Sequence, residues 1–183
     1  MRPDLATISA GTNDLLRYRF DGRAVGADIE AMQRAFVDGG ATVISFTLPD
    51  LRDIMPVARL FGERTLALND EIRAACARSG ALLLDLARYP VASDRRVWSD
   101  DRLHANSAGH VRIAAAMADL LGVLPDRSWA EPLPPLPPPG FGDGVRTEWA
   151  WVRNHLAPWL WRHARGISSG DGRSAKRPEL TPV

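Results

Sequence analysis

Apolar residues cluster in three short runs that are typical of buried β-strands. The runs are DLATISA at 4–10, ATVISFTLP at 41–49 and ALLLDLA at 81–87. They are continuous rather than strictly alternating, which indicates strands with both faces covered, as in a parallel sheet.

Longer segments with a helical apolar period separate these runs. A first helix is predicted over 28–40, with an apolar face formed by Ile29, Met32, Ala35 and Phe36. A second helix is predicted over 63–80, with Gly80 at its end, and a third over 107–121. This β-α-β-α-β order predicts a parallel sheet with helices on both faces.

The sequence changes character after Leu121. Residues 132–144, PLPPLPPPGFGDG, contain too many prolines and glycines for a helix or a central strand, so an extended linker is expected. We divide the chain into a domain over 1–123, a Pro/Gly-rich linker over 124–146, a Trp-rich helix over 147–165 and a basic flexible tail over 166–183.

Composition and charge exclude several classes of protein. The 183 residues are 45% hydrophobic and 25% charged, with a formal net charge of +1, so no nucleic-acid partner is indicated. The single cysteine, Cys76, is expected to be a small core residue rather than a reactive thiol. No apolar run reaches the roughly 18 residues of a membrane span. Since no secretory signal is visible at the start of the chain, we expect a cytoplasmic protein.

A first polar motif, GTND at 11–14, follows the first predicted strand. Ligands of parallel α/β sheets bind at the carboxyl ends of the strands. Gly11 permits a sharp turn there, and the amide of Asn13 can donate a hydrogen bond to an oxyanion without titrating. A plain Asx turn is the alternative interpretation of Asn13.

A second polar motif, SDDRLHANSAGH at 99–110, precedes the last predicted helix. Asp101 stands three residues before His104, so its carboxylate can reach Nδ1 of the imidazole. Such a contact orients the ring and leaves Nε2 to act as a general base.

The other polar residues of this motif have simpler interpretations. Asn106 or Ser107 is expected to cap the helix, and His110 to make a local hydrogen bond. A metal site formed by Asp101, His104 and His110 is conceivable, but no further Cys or His lies nearby in sequence to complete it. We therefore predict no metal and no other cofactor.

The two motifs in combination resemble a known family. PDLATISAGTNDLL at 3–16 and DDRLHANSAGH at 100–110 resemble the third and fifth sequence blocks of the SGNH hydrolases, also called GDSL esterases and lipases. The resemblance covers about residues 3–123 and implies a flavodoxin-like, three-layer α/β fold. The Trp-rich segment is similar to C-terminal extensions of actinobacterial members.

This resemblance also implies roles for individual residues. Asn13 looks like the oxyanion-hole amide, with Gly11 as its supporting turn residue. Asp101 and His104 look like the acid and the base of a catalytic triad.

The family's nucleophile, in a Gly-Asp-Ser block, lies upstream of the Gly-x-Asn-Asp block and has no counterpart here. Ser9 falls inside the first predicted strand, so its hydroxyl is expected to face the sheet. The stretch SGDGRS at 169–174 has Gly172 where the serine is needed. We therefore expect a member truncated at its N-terminus, whose sheet lacks the first two strands of the order 2-1-3-4-5. The strand at 4–10 then has an exposed edge.

The resemblance implies an ester hydrolase with a serine acyl-enzyme mechanism, acting on a small ester or an acyl lipid. Without its nucleophile block, the chain alone is expected to be inactive. A non-catalytic binding module on the same scaffold is the alternative. The Trp-rich basic end either packs on the domain's own surface or makes a weak membrane-surface contact. No specific protein partner is inferred.

Overall fold

The computed structural model describes residues 2–52, 54–137, 140–165 and 174. Its sheet has three parallel strands in the order β1-β2-β3, namely β1 at Leu5–Ile8, β2 at Thr42–Phe46 and β3 at Leu82–Leu84. Leu5 pairs with Thr42, and Ile44 pairs with Leu82. The predicted parallel sheet is confirmed, although each strand is shorter than its apolar run.

Three helices cover the two faces of this sheet. They are α1 at Gly22–Val37, α2 at Gly62–Ser79 and α3 at Ser107–Leu120. On one face, Ile29 of α1 and Leu68 of α2 share a cluster with Val43. On the other face, Ala116 of α3 packs with Ile44. Val43 and Ile44 are neighbours in β2 and point to opposite faces, so the sheet has a core on each side.

Local capping explains where these helices begin and end. Asp21 caps α1 by accepting a hydrogen bond from the Ala24 N–H at 3.1 Å. Gly80 ends α2 in the left-handed region, with φ of 81°. Asn106 rather than Ser107 caps α3. The predicted end of α2 and the predicted start of α3 are therefore confirmed.

The buried face of α1 differs from the predicted one. Ile29 is buried as expected, but Ala35 is exposed, and Met32 and Phe36 are 40% and 38% exposed. Gln33 instead is fully buried. The prediction was wrong because it ranked positions by hydrophobicity alone.

A hydrogen-bonded network makes the burial of Gln33 acceptable. Its Nε2 donates to Ser45 Oγ at 2.9 Å and to Cys76 Sγ at 3.4 Å. Its Oε1 accepts from Ser79 Oγ at 2.7 Å. A buried polar group costs little when its hydrogen bonds are made. Cys76 is itself buried, and burial raises the pKa of its thiol, which confirms the core interpretation.

The chain divides into two compact units, Met1–Pro135 and Leu136–Val183. The second contains α4 at Phe141–Trp151, a π-helical turn at Val152–Leu156 and α5 at Ala157–Ala164. In the described part of the chain, no helix is long and apolar enough to span a membrane.

Both ends of the predicted linker, 124–146, contain helical turns in the structure. Residues 128–130 form a 3₁₀ turn of the first unit, in which Trp129 is buried and its Nε1 donates to Asp119 at 3.1 Å. At the other end, 141–146 are helical, because the proline run ends before Gly140. The predicted tail over 166–183 lies outside the described residues except for Ser174.

Candidate active site

A tight loop at residues 98–105, here called the 98–105 loop, presents two of the predicted site residues. Trp98 and Ala105 form an antiparallel bridge at its base. The Ser99 N–H donates to the His104 carbonyl at 2.8 Å, and the Arg102 N–H donates to the Ser99 carbonyl at 3.0 Å. These backbone bonds hold the loop closed without regular secondary structure.

Asp101 and His104 form a hydrogen-bonded pair in this loop. Asp101 Oδ2 lies 2.7 Å from His104 Nδ1. Asp101 Oδ1 accepts from the backbone N–H groups of Leu103 and His104, at 2.9 and 3.0 Å. The three-residue spacing thus produces the contact that the sequence predicts. The side chain of His104 is 74% exposed, and that of Asp101 is 33% exposed.

The environment of Asp101 favours its charged form. Partial burial raises the pKa of the carboxyl group, but the hydrogen bonds from the His104 side chain and from the two backbone N–H groups outweigh it. The pKa of Asp101 is therefore below its usual value. An ionised carboxylate on Nδ1 is the state that orients and supports an imidazole base.

The start of α3 anchors the 98–105 loop. Asn106 Oδ1 accepts from the Gly109 N–H at 3.0 Å, and its Nδ2 donates to the carbonyls of Arg96 and Trp98 at 2.8 and 3.1 Å. One asparagine therefore caps the helix and fixes the segment that leads into the loop. His110 is exposed in the first turn of α3, where its backbone N–H donates to the Asn106 carbonyl.

Metal binding gains no support from the geometry. Within the described residues, no group of three or more His, Cys, Asp or Glu side chains is placed to hold a metal ion.

Gly11 and Asn13 lie in the turn that follows β1. Gly11 has φ of 97°, and a Cβ there would lie 2.7 Å from Leu68 Cδ2, so both its backbone conformation and its packing favour glycine. Asn13 is exposed and precedes the 3₁₀ turn Asp14–Leu16 without capping it through its side chain. This geometry argues against a simple capping role for Asn13.

Both site segments are hydrogen-bonded to the part of the chain that follows β2. Arg64, in the first turn of α2, donates to the Leu15 and Arg17 carbonyls, each at 2.8 Å. Arg102 of the 98–105 loop donates to the Ile54 carbonyl at 3.1 Å. The turn that holds Asn13 is therefore bonded to the start of α2, and the loop that holds Asp101 and His104 is bonded to the connection between β2 and α2.

Ser9 does not lie where the sequence analysis placed it. β1 ends at Ile8, so Ser9 is outside the strand, and it is exposed. The expectation that its hydroxyl faces the sheet was wrong, because β1 ends before the apolar run 4–10 does.

Sequence reasoning missed a charged cluster at the ends of β2 and β3. Thr47 Oγ1 donates to Asp85 Oδ1 at 2.8 Å, and Arg73 donates to both Asp85 oxygens at 2.9 and 3.0 Å. Burial raises the pKa of Asp85, but the hydrogen bonds from Arg73 and Thr47 lower it by more. The pKa of Asp85 is therefore below its usual value. The cluster joins α2 to the carboxyl ends of β2 and β3.

A small apolar cavity lies behind the 98–105 loop. Its volume is about 60 Å³, and its lining includes Trp98, Ala105 and Trp129. Pockets for drug-sized ligands usually measure about 300–1,000 Å³, so this cavity is a packing gap rather than a substrate pocket.

Comparison with known proteins agrees with these features. Residues 1–112, which include Asn13, Asp101 and His104, match the model of the GDSL-like lipase/acylhydrolase family. The chain is also similar to the crystal structure of LAE5, an alpha/beta hydrolase enzyme from the metagenome of Lake Arreo, Spain, at 25% identity and a TM-score of 0.51. This similarity covers 67% of the chain and 62% of that enzyme. A search of curated proteins finds no match.

Proposed function

Because the chain belongs to the GDSL-like lipase/acylhydrolase family, we propose that it supplies the acid and base of an ester hydrolase with a serine acyl-enzyme mechanism. The observation that carries the proposal is the 2.7 Å contact between Asp101 Oδ2 and His104 Nδ1. The substrate class is a small ester or an acyl lipid.

In this mechanism, His104 moves the proton. Its Nε2 accepts the proton of a serine hydroxyl as the oxygen attacks the ester carbonyl, and then returns it to the leaving alkoxide. Asp101 holds the ring in the required tautomer and stabilises the imidazolium. In the second half-reaction His104 activates water, which releases the acid and regenerates the serine. The exposed ring of His104 suits a base that must meet a substrate.

Asn13 stabilises the negative charge that develops on the ester oxygen. Its exposed amide carries no titratable proton, so it donates at any working pH. Gly11 sets the turn that carries Asn13. The support for this role is the position of Asn13 after β1 together with the absence of a side-chain cap at this turn.

The nucleophile is the part of the mechanism that this chain does not supply. The 183 residues contain no Gly-Asp-Ser sequence. We therefore propose that the chain alone has no meaningful turnover, since loss of the nucleophile costs a serine hydrolase about a million-fold.

Adding a nucleophile tests the acid and base assignment. The chain is extended at its N-terminus with a Gly-Asp-Ser segment from a family member, and hydrolysis of p-nitrophenyl acetate is measured. His104→Ala should abolish turnover almost entirely, whereas Asn13→Ala should lower it about 100- to 1,000-fold. His110→Ala is the matched control, because His110 is an exposed histidine close to the loop, and it should keep full activity. Turnover that survives His104→Ala would refute the mechanism.

The unextended chain provides the complementary test. A serine-directed fluorophosphonate probe should label no residue, and p-nitrophenyl acetate hydrolysis should not depend on His104. Labelling that disappears in Ser9→Ala would identify the exposed Ser9 as a nucleophile and contradict the proposal that the chain lacks one. Tight ester binding without turnover in the extended chain would favour the non-catalytic binding module.

We also propose that α4 and α5 make a weak contact with an anionic membrane surface. Trp149, Leu160 and Trp161 are 69%, 50% and 57% exposed. Exposed tryptophans are typical of the membrane interface. Over residues 140–165, four arginines and two acidic residues give a net charge of +2, by four minus two. The Arg165 guanidinium lies 3.8 Å from the centre of the Trp161 ring, so a cation and an aromatic ring are presented together.

Vesicle cosedimentation tests this contact. The chain should sediment with phosphatidylcholine vesicles that contain phosphatidylglycerol more than with phosphatidylcholine alone, and added salt should weaken the effect. The double variant Trp149→Ser/Trp161→Ser should lose it. Tyr18→Ser is the matched control, because Tyr18 is 94% exposed but lies in the first unit. Equal sedimentation of the double variant and the control would overturn the proposal.

A further inference from the structure

Arg102 is a buried charged residue between Asp101 and His104. It is 3% exposed, whereas its neighbour Leu103 is 39% exposed. Arginine is rarely buried unless its guanidinium has partners, because the desolvation cost is high. The burial of Arg102 in a loop therefore indicates that its guanidinium makes contacts that offset this cost.

The contacts of Arg102 join the 98–105 loop to another part of the domain. Its Nη1 donates to the carbonyl of Ile54 at 3.1 Å, and Ile54 is itself 2% exposed. Its backbone N–H donates to the Ser99 carbonyl at 3.0 Å. The side chain thus attaches the loop to the connection after β2, and the backbone bond closes the loop on itself.

The backbone of Arg102 adds a second, independent observation. Its φ is 63°, in the left-handed region, which a residue with a Cβ enters only at a cost and which glycine adopts freely. Directly after this turn, the N–H groups of Leu103 and His104 both reach Asp101 Oδ1. The turn at Arg102 therefore brings the Asp101 carboxylate and the His104 ring together.

We propose that Arg102 is a positioning residue whose buried guanidinium holds the 98–105 loop in the one conformation that pairs Asp101 with His104. The left-handed backbone conformation favours glycine at this position, whereas the hydrogen bond to the Ile54 carbonyl needs the arginine side chain. The anchoring offsets the cost of the left-handed turn. Its value for activity rests on the proposed function, but its effect on the pair is independent of any substrate.

The test separates the backbone requirement from the side-chain requirement. Arg102→Gly relieves the left-handed strain and removes the anchor, whereas Arg102→Lys keeps a cation that can still donate to the Ile54 carbonyl. Arg127→Ala is the matched control, since Arg127 is an exposed arginine of the same unit, with its side chain 76% exposed beside Asp119. Far-UV circular dichroism and thermal melting verify that each variant is folded.

The main measurement is an NMR titration of the Asp101 carboxyl carbon in the complete chain. In the unaltered chain and in Arg127→Ala, the pKa of Asp101 should lie below the usual 3.8. In Arg102→Gly it should rise towards 3.8, because the hydrogen bonds from His104 and the two backbone N–H groups loosen. The downfield proton signal of His104 Nδ1–H should disappear in the same variant. In Arg102→Lys, the pKa of Asp101 should lie between its values in the unaltered chain and in Arg102→Gly.

Activity provides a separate readout in the chain extended with a nucleophile segment. Arg102→Gly should lower kcat about 100-fold, the usual cost of misplacing a catalytic group by about 1 Å, with little change in KM.

The outcomes distinguish this inference from the proposed function. An Asp101 pKa and a His104 Nδ1–H signal that are unchanged in Arg102→Gly would overturn the positioning role, even if His104 proved to be the base. A shifted pKa with activity that does not depend on His104 would support the positioning role and refute the function. If Arg102→Gly fails to fold, Arg102→Lys decides, because an unchanged Asp101 pKa there would show that the arginine fork is not needed.

Discussion

At the scale of single residues, Gly109 shows how closely α3 approaches the loop that carries Asp101 and His104. Gly109 is buried in the first turn of the helix, and a Cβ there would overlap the carbonyl oxygen of Val97. Its N–H also donates to Asn106 Oδ1 at 3.0 Å. Glycine therefore lets the start of the helix lie directly against the segment that leads into the 98–105 loop.

Replacing Gly109 should separate these two segments. Gly109→Ala should lower the free energy of unfolding by about 1–3 kcal/mol, the usual cost of forcing extra atoms into a packed site, despite the higher helix propensity of alanine. Urea unfolding measures the change. Gly22→Ala in α1 is the control, since a Cβ there meets only ordinary contacts, 3.4 Å from Phe20 at the nearest. A Gly109→Ala variant as stable as this control would show that the approach is not tight.

At the scale of secondary-structure elements, the packing of α1 on α2 decides which face of α1 is buried. A Cβ at Gly26 would lie 2.7 Å from the Cβ of Glu71 in α2, so the two helices approach closely at a position where one of them lacks a side chain. That approach turns Ile29 and Gln33 inward and leaves Met32 and Phe36 partly exposed. Of the predicted apolar stripe of α1, only Ile29 is therefore buried in the contact surface.

At the scale of the whole molecule, the sheet of the first unit has one corner that α1, α2 and α3 leave exposed. In the described residues, β1 pairs only with β2. Leu5 and Thr7 of β1 are exposed, while Ile8 is buried under α1 and α2. The cluster around α3 reaches β2 and β3, with Ile44 and Leu84 as its buried strand residues. An open strand edge beside exposed apolar side chains promotes pairing with another chain.

Self-association should follow from this exposed corner. Size-exclusion chromatography with light scattering should show a mass that rises with the concentration of the unaltered chain. Thr7→Lys should reduce the rise, because a charge on an edge strand opposes edge-to-edge pairing. Leu124→Lys is the control, since Leu124 is a 64% exposed apolar residue that belongs to none of the three strands. A monomer at all concentrations, or an equal effect of both variants, would contradict the role of the edge.

The sequence by itself determined the features that depend on a few neighbouring residues. The order of strands and helices follows from apolar periodicity. The end of α2 at Gly80 and a start of α3 capped by Asn106 or Ser107 follow from capping chemistry. The contact between Asp101 and His104 also spans only three residues, so local geometry alone can make it.

Tertiary structure decided the features that depend on residues far apart in the chain. Gln33 is buried because Ser45 and Ser79 complete its hydrogen bonds, and neither lies in its own helix. The acceptor of the buried Arg102 side chain is the carbonyl of Ile54, 48 positions earlier in the chain, so no local pattern could predict this contact. Periodicity describes the two faces of an isolated element, whereas burial and polar partners are set by the elements packed against it, and that information is not local.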